Sequence, residues 1–160
     1  MRRVVVLVLM AAAACLPGNI VHYQADLVPL ADCNLRRGEL ECLAPADGGT
    51  RISGVMSVDE RGDDTRVFFR QETLVGTFDG DRLHVENVRE LVREQSGCLT
   101  RQTLKIDGLV DDPGFGLRRE INGSAEESAI TDGDPQQCGL NIPYGQVRRY
   151  TLHAVEVTQP

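Results

Sequence analysis

The sequence predicts an all-β protein with a single antiparallel domain, built as a curled barrel or a sandwich of about seven to nine short strands. Three observations support this fold class. Apolar and polar residues alternate along most of the chain from residue 31 onward, Asp and Gly cluster between the alternating runs, and no βαβ pattern or internal repeat interrupts them. With 160 residues, 41 % of them hydrophobic and 26 % charged, the chain has the size and composition of one globular domain.

Residues 1–14 have the features of a secretory signal peptide. Met1-Arg2-Arg3 is a short positive start, and an apolar run from Val4 to Ala14 follows it. This run is too short to span a bilayer core, which takes about 20 helical residues. A charged start, a short apolar run and small residues at its end are typical of a secretory signal.

The apolar run ends in Ala12-Ala13-Ala14-Cys15, which resembles the lipobox of bacterial lipoproteins. The resemblance implies that Cys15 becomes the first residue of the mature chain and carries acyl groups. The protein would then be exported to the cell envelope and anchored to a membrane through those chains. An ordinary Ala-x-Ala cleavage site is also present. Cysteine parity favours the lipoprotein, because lipidation of Cys15 leaves four cysteines that can pair.

The predicted domain organisation therefore has three parts. Residues 1–14 form the signal peptide, residues 15–30 form the lipid-anchor cysteine with a tether that contains Pro17, Gly18 and Pro29, and residues 31–160 form the antiparallel β domain.

The clearest local element is a hairpin over residues 33–42. A two-residue turn at Arg37-Gly38 places Cys33 opposite Cys42 at a non-hydrogen-bonded position, where side chains approach most closely. The spacing therefore predicts a Cys33–Cys42 disulfide. Arg is not a favoured first residue of a type I′ turn, which leaves a longer turn as an alternative.

Further strands are predicted wherever the alternation returns. Asp79-Gly80-Asp81 separates two such runs and is typical of a hairpin turn. The stretch 85–96 fits both a short amphipathic helix and a strand that continues into a loop. Glycines inside the runs weaken a flat sheet but ease the bends of a closed or strongly curled one; they are Gly54, Gly76, Gly108 and Gly123.

The remaining cysteines, Cys98 and Cys138, would close a long loop in the second half of the domain. Disulfides are expected in an exported chain, and the chain-entropy model assigns a loop of this length about 4 kcal/mol. The sequence leaves the other two connectivities of the four cysteines open.

The charge of the chain excludes one class of partner. Its net charge is −7, and loss of Arg2 and Arg3 with the signal peptide makes it −9. Nucleic-acid binding needs a basic face, so we expect no nucleic-acid partner. An acidic body on a lipid anchor should also be held off an anionic membrane surface.

No nucleophile elbow, phosphate-binding loop or zinc-protease motif occurs in the sequence, and no catalytic residue can be named from it. We therefore expect a non-enzymatic binding or interaction protein without a cofactor or a specific metal. Its partner would be an unknown protein or a small apolar ligand held in the mouth of the barrel. The alternatives are an envelope hydrolase that uses a strand histidine with a loop carboxylate, and an acidic protein that inhibits a basic enzyme.

Four residues are candidates for ligand binding. Arg119 and Arg149 fall on apolar faces of predicted strands, where each would line a cavity for an anionic ligand, meet a buried acid, or extend to solvent at a strand end. His84 and His153 lie in separate predicted strands, either as a shared site or as unrelated histidines.

Overall fold

The computed structural model describes residues 19–45, 48–93, 97–138 and 143–157, which form nine antiparallel strands. The strands are β1 (Asn19–Arg36), β2 (Glu39–Leu43), β3 (Ile52–Glu60), β4 (Thr65–Phe69), β5 (Glu72–Asp79), β6 (Arg82–Arg93), β7 (Cys98–Asp111), β8 (Glu120–Asp132) and β9 (Tyr144–Glu156). A 3-10 turn at Gly62–Asp64 and a four-residue helix, α1 (Pro135–Cys138), lie between strands. Within the described ranges, no helix is long and apolar enough to cross a membrane.

Eight of the strands close into a barrel. They follow the order β1-β3-β4-β5-β6-β7-β8-β9, and β9 pairs back with β1. The ninth strand, β2, lies outside the ring and pairs with the last residues of β1, beyond the part of β1 that pairs with β3. The fold is therefore the barrel of the two predicted architectures. An eight-stranded barrel is just wide enough inside to be filled by side chains or to hold one small ligand.

The predicted hairpin is confirmed in its register. Arg36 pairs with Glu39 and Cys33 pairs with Cys42, so the turn consists of Arg37 and Gly38 alone. Both turn residues have positive φ, 55° for Arg37 and 84° for Gly38, as a two-residue turn of this twist requires. The longer turn is wrong: Arg37 adopts the left-handed conformation although Asn or Asp is preferred there.

Both predicted disulfides are confirmed. Cys33 and Cys42 are bonded with their Cα atoms 3.9 Å apart, as expected for directly opposed residues of a hairpin. Cys98 and Cys138 are bonded with Cα atoms 5.7 Å apart, which links the start of β7 to α1.

One predicted boundary is wrong. The first strand begins at Asn19 and not near residue 31, because Tyr23, Ala25 and Leu27 alternate inward and are fully buried. Pro29 had indicated a tether, but it lies at an irregularity in the pairing of β1 with β9, where a strand tolerates proline. The signal peptide and Cys15 lie outside the described residues.

The helix considered for residues 85–96 is also wrong as far as Arg93. Residues 82–93 pair continuously with β7 as strand β6. Val85 is buried in the barrel whereas Val88, Leu91 and Val92 are exposed, so the apolar positions that mimic a helical period lie on both faces of the strand. Residues 94–96 lie outside the described residues.

The middle of the barrel is filled by apolar side chains from its strands. The largest fully buried ones are Tyr23, Leu27, Met56, Leu74, Leu83, Ile106 and Ile121. Two of the strand glycines permit a close approach between neighbours: a Cβ atom added at Gly76 or at Gly123 would lie 2.0 Å from a carbonyl oxygen of the adjacent strand. These glycines fit the closed, strongly curled sheet that their positions predicted.

Candidate functional site

The two ends of the barrel differ in how they are filled. One end, called here the closed end, contains the start of β1, the end of β3, the start of β8 and the end of β9. The other end, called here the open end, contains the β4–β5 turn and the parts of β6 to β9 that extend past it. At the open end β6 pairs with β5 only as far as Glu86, whereas it pairs with β7 as far as Arg93. The inner face of β6 to β9 is therefore uncovered there.

An ion pair fills the closed end. Arg119 Nη2 lies 2.8 Å from Glu60 Oε1, and each of the two side chains is 16 % exposed. Asp112 Oδ2 lies 3.5 Å from Arg119 Nε, and the guanidinium carbon lies 5.9 Å from the centre of the Phe78 ring. Of the three environments considered for Arg119, the structure places it against a buried acid.

Arg119 and Tyr23 both keep their protons near neutral pH. Burial raises the pKa of Tyr23 to about 12, and the opposing effect of Arg119 is smaller. Burial lowers the pKa of Arg119, but the hydrogen bond to Glu60 and nearby negative charges outweigh it, so the net shift is upward. Arg119 thus remains a cation and Tyr23 a neutral phenol. We assign a structural role to the ion pair at this end.

A cavity of about 320 Å³ lies at the open end. Its floor contains Leu104 and Ala129, and most of its other lining residues are polar. The charged side chains that line it are Arg70, Glu72, Arg89, Glu127 and Arg148. The three arginines and two glutamates of the lining carry one net positive charge, which Asp32 beside Arg148 balances.

The two glutamates of the cavity already have partners. Arg70 Nη1 lies 2.7 Å from Glu127 Oε1, and the Tyr150 hydroxyl donates a hydrogen bond of 3.1 Å to the other oxygen of Glu127. Glu72 accepts hydrogen bonds from Arg89 and from Asn87. Burial and the neighbouring Glu127 raise the pKa of Tyr150, so its hydroxyl keeps the proton that it donates. Two of the three arginines, Arg70 and Arg89, are therefore already paired with a glutamate of the cavity wall.

Arg148 is the third arginine, and it is bound less closely. In the described part of the chain its ionic partner is Asp32, whose Oδ1 lies 3.6 Å from Arg148 Nε, beyond hydrogen-bond distance. The side chain of Arg148 is 58 % exposed. It is therefore the cavity cation best able to bind a ligand.

Sequence reasoning missed this cavity, although the signal is present. In β6 the inward positions change from Leu83 and Val85 to Asn87 and Arg89, with no change in the period of two. Only the apolar half of each run was used to assign an inward face. Continuation of the same alternation into the polar half identifies the cavity residues.

Arg149 does not line the cavity. It is the neighbour of Arg148 in β9 and therefore points to the outer face of the barrel. Its Nε lies 3.0 Å from Glu126 Oε2, and its side chain is 45 % exposed. The structure places Arg149 in a surface ion pair.

The two candidate histidines lie in separate surface pairs. His84 Nδ1 is 2.5 Å from Asp107 Oδ1 across β6 and β7, and both side chains are about half exposed. His153 Nε2 is 3.6 Å from Glu120 Oε2 on the exposed surface of β9 and β8. Strands β7 and β8 separate the two histidines, so they do not form one site.

The His84 pair has electrostatics of its own but no enclosing cleft. Lys105 Nζ lies 3.0 Å from the second oxygen of Asp107. Burial acts to raise the pKa of Asp107, but the hydrogen bonds from His84 and Lys105 outweigh it and the net shift is downward. General acid–base catalysis uses a site that excludes water and orients a substrate, which a half-exposed pair on a convex barrel wall does not provide. Within the described residues, no group of three His, Cys, Asp or Glu side chains is suited to hold a metal ion.

Comparison with known proteins adds no assignment to this geometry. No model of a known protein family matches the chain, and a search of curated proteins finds no match.

Proposed function

We propose that the protein is an exported, membrane-tethered binding protein of the bacterial cell envelope, which holds a small polar ligand in the open end of its barrel and does not convert it chemically. The observation that carries the proposal is the cavity of about 320 Å³ whose wall contains a loosely paired Arg148. Ligand sites are concave and contain polar groups that orient the ligand, and this cavity offers many such groups.

The lining favours a polar ligand over the small apolar ligand expected from the sequence. An apolar molecule in this cavity would remove the arginine and amide groups of the wall from water without replacing their hydrogen bonds. Each unpaired buried polar group costs about 1–3 kcal/mol. A ligand with its own polar groups avoids that cost.

The lipobox-like sequence also implies an orientation for the barrel. Asn19 starts β1 at the closed end, and the chain between Cys15 and Asn19 can reach at most about 14 Å. An acylated Cys15 would therefore hold the closed end near the membrane, and the cavity would face away from it. The net charge of −9 on the mature chain acts in the same direction, since it repels the body from an anionic surface.

Native mass spectrometry of the full chain, isolated in mild detergent from the membranes of a bacterium that produces it, tests the proposal. We expect a mature chain that begins at Cys15 and carries acyl groups, together with a population that retains a small polar molecule. An unmodified chain in the soluble fraction would contradict the membrane anchor. A protein with no ligand, or with a bound apolar lipid, would contradict the binding proposal.

Arg148→Gln and Arg149→Gln form a matched pair of variants for the same measurement. The two arginines are adjacent in the chain, but only Arg148 lines the cavity. We expect Arg148→Gln to lose the retained molecule and Arg149→Gln to keep it. Equal loss from both variants would show that the molecule does not depend on the cavity.

A further inference from the structure

We infer that the ligand of this cavity is a small hydroxylated anion, a molecule of about monosaccharide size with several hydroxyl groups and one carboxylate or phosphate group that binds Arg148. The inference rests on the proposed function and specifies its ligand. It follows from three features of the open end: the pairing of the three arginines, the position of the amide side chains, and the size of the cavity.

The pairing of the three arginines favours an anionic ligand that binds at Arg148. Arg70 and Arg89 already neutralise Glu127 and Glu72, so an anion at either arginine would displace an existing carboxylate. Arg148 forms an ion pair with Asp32 at 3.6 Å but no hydrogen bond with it. Its planar guanidinium can therefore turn toward a ligand and donate two parallel hydrogen bonds to a carboxylate or a phosphate.

The amide side chains select hydroxyl groups. Gln102, Ala129 and Gln146 are paired in one row across β7, β8 and β9, with the small Ala129 in the centre. Because neighbouring strands lie about 4.8 Å apart, the two glutamines stand about 10 Å apart on either side of Ala129. Neither side-chain amide forms a hydrogen bond with another of the described residues. Each amide both donates and accepts hydrogen bonds, and hydroxyl groups do the same.

Arg148 lies next to this row. It pairs with Glu127, two residues before Ala129 in β8, so its Cα lies two residues along the strands and one strand across from the centre of the row. A molecule over Ala129 would therefore have an amide on each side and the guanidinium at one end, while Leu104 offers an apolar contact in the floor. The cavity volume of about 320 Å³ is near the lower limit for small-molecule sites, which favours a single small ring over a longer chain.

Isothermal titration calorimetry of the mature chain, with its disulfides formed, tests the inference with three related sugars. Glucose is the neutral parent, glucuronate carries a carboxylate and glucose 6-phosphate carries a phosphate on the same carbon. We expect at least one of the two anions to bind about 10- to 100-fold more tightly than glucose, the contribution of a charge-assisted hydrogen-bond pair. The comparison of the two anions identifies the preferred group, and inorganic phosphate alone should bind more weakly than the preferred sugar.

Variants locate the effect. Arg148→Gln should abolish the preference for the anion, and Arg149→Gln, on the outer face, should keep it. Gln102→Ala should weaken the anion and glucose by a similar factor, because it removes contacts to hydroxyl groups only. Circular dichroism of each variant verifies that the barrel is folded.

The outcomes separate this inference from the proposed function. Equal affinity for glucose and both anions, or a preference that survives Arg148→Gln, would overturn the inference. If no sugar binds while protein isolated from membranes still carries another molecule in the cavity, the ligand class is wrong and the binding function stands. If neither experiment finds a ligand, both are wrong.

Discussion

Substitution of Gly123 by alanine tests the close contact between β7 and β8 on which the curled barrel depends. The added Cβ would lie 2.0 Å from the carbonyl oxygen of Asp107 and 2.6 Å from the Cα of Gly108, whereas ordinary contacts begin at 3.4 Å. Both clashing atoms belong to backbone, so a strand must move. Overpacking costs about 1–3 kcal/mol, and one or two weakened ladder hydrogen bonds add about 1 kcal/mol each. We expect a loss of about 2–5 kcal/mol in the free energy of unfolding.

Urea unfolding followed by far-ultraviolet circular dichroism measures this loss, since the chain has no Trp. With a slope of about 1–3 kcal/mol per molar, the midpoint should fall by at least about 0.7 M. Gly54→Ala is the matched control, because its Cβ would meet only Phe69 Cε2 at 3.6 Å; we expect a change within about 1 kcal/mol. Equal effects of the two substitutions, or a Gly123→Ala variant as stable as the wild type, would refute the strand contact.

Three further predictions concern the charges and the disulfides. Arg119→Met should lower the free energy of unfolding by about 2–4 kcal/mol, because it leaves Glu60 mostly buried without its cation. In a double-mutant cycle measured by urea unfolding, the added substitution Glu60→Leu should recover part of that loss. The pKa of Asp107 in the folded protein lies below its unfolded value of 3.8, so the ionised carboxylate stabilises the fold above that pH. The difference in melting temperature between the wild type and Asp107→Asn should be present at pH 7 and vanish as the pH falls through the native pKa. A difference that persists at acid pH would be inconsistent with this linkage. Replacing both cysteines of the Cys98–Cys138 bridge by serine should lower the free energy of unfolding by about 4 kcal/mol, and the same change in the Cys33–Cys42 bridge should lower it by about 2.7 kcal/mol. Urea unfolding measures both values, and the reverse order would contradict the loop-length argument.

Local features of the fold were predictable from the sequence because their physical causes are local. The Cys33–Cys42 hairpin follows from the spacing of two cysteines about a glycine-containing turn, and its register is confirmed in full. The Asp79-Gly80-Asp81 turn likewise joins β5 to β6, with Asp79 paired to Arg82. In both cases the residues that determine the structure are close in sequence.

Closure of the barrel could not be predicted in this way. It depends on the pairing of β1 with β9, whose partners, such as Leu27 and Leu152, are far apart in sequence. A sandwich would use the same alternation, so the period of two alone does not distinguish the architectures. The start of β1 was missed because prolines and Gly18 near the run outweighed the alternation of Tyr23, Ala25 and Leu27.

The candidate site was predicted least well, for a specific physical reason. The sequence drew attention to charges among apolar residues, and this criterion found Arg119, which forms a structural ion pair, and Arg149, which is on the outer surface. Arg148 lies among polar residues and was not singled out. Its importance depends on its inward orientation and on an ion pair with Asp32 that lacks a hydrogen bond, and both require the three-dimensional pairing of β9 with β8 and β1.

The most direct test of the binding site is a nuclear magnetic resonance titration of the isotopically labelled mature chain with whichever of glucuronate and glucose 6-phosphate binds more tightly. We expect the largest chemical-shift changes at backbone amides around Ala129 and Arg148, on the inner face of the open end. Residues around Arg119 at the closed end and His84 on the outer wall should not change. Changes confined to the closed end or the outer wall would contradict the proposed site, and no change at any concentration of that anion would contradict the proposed ligand class.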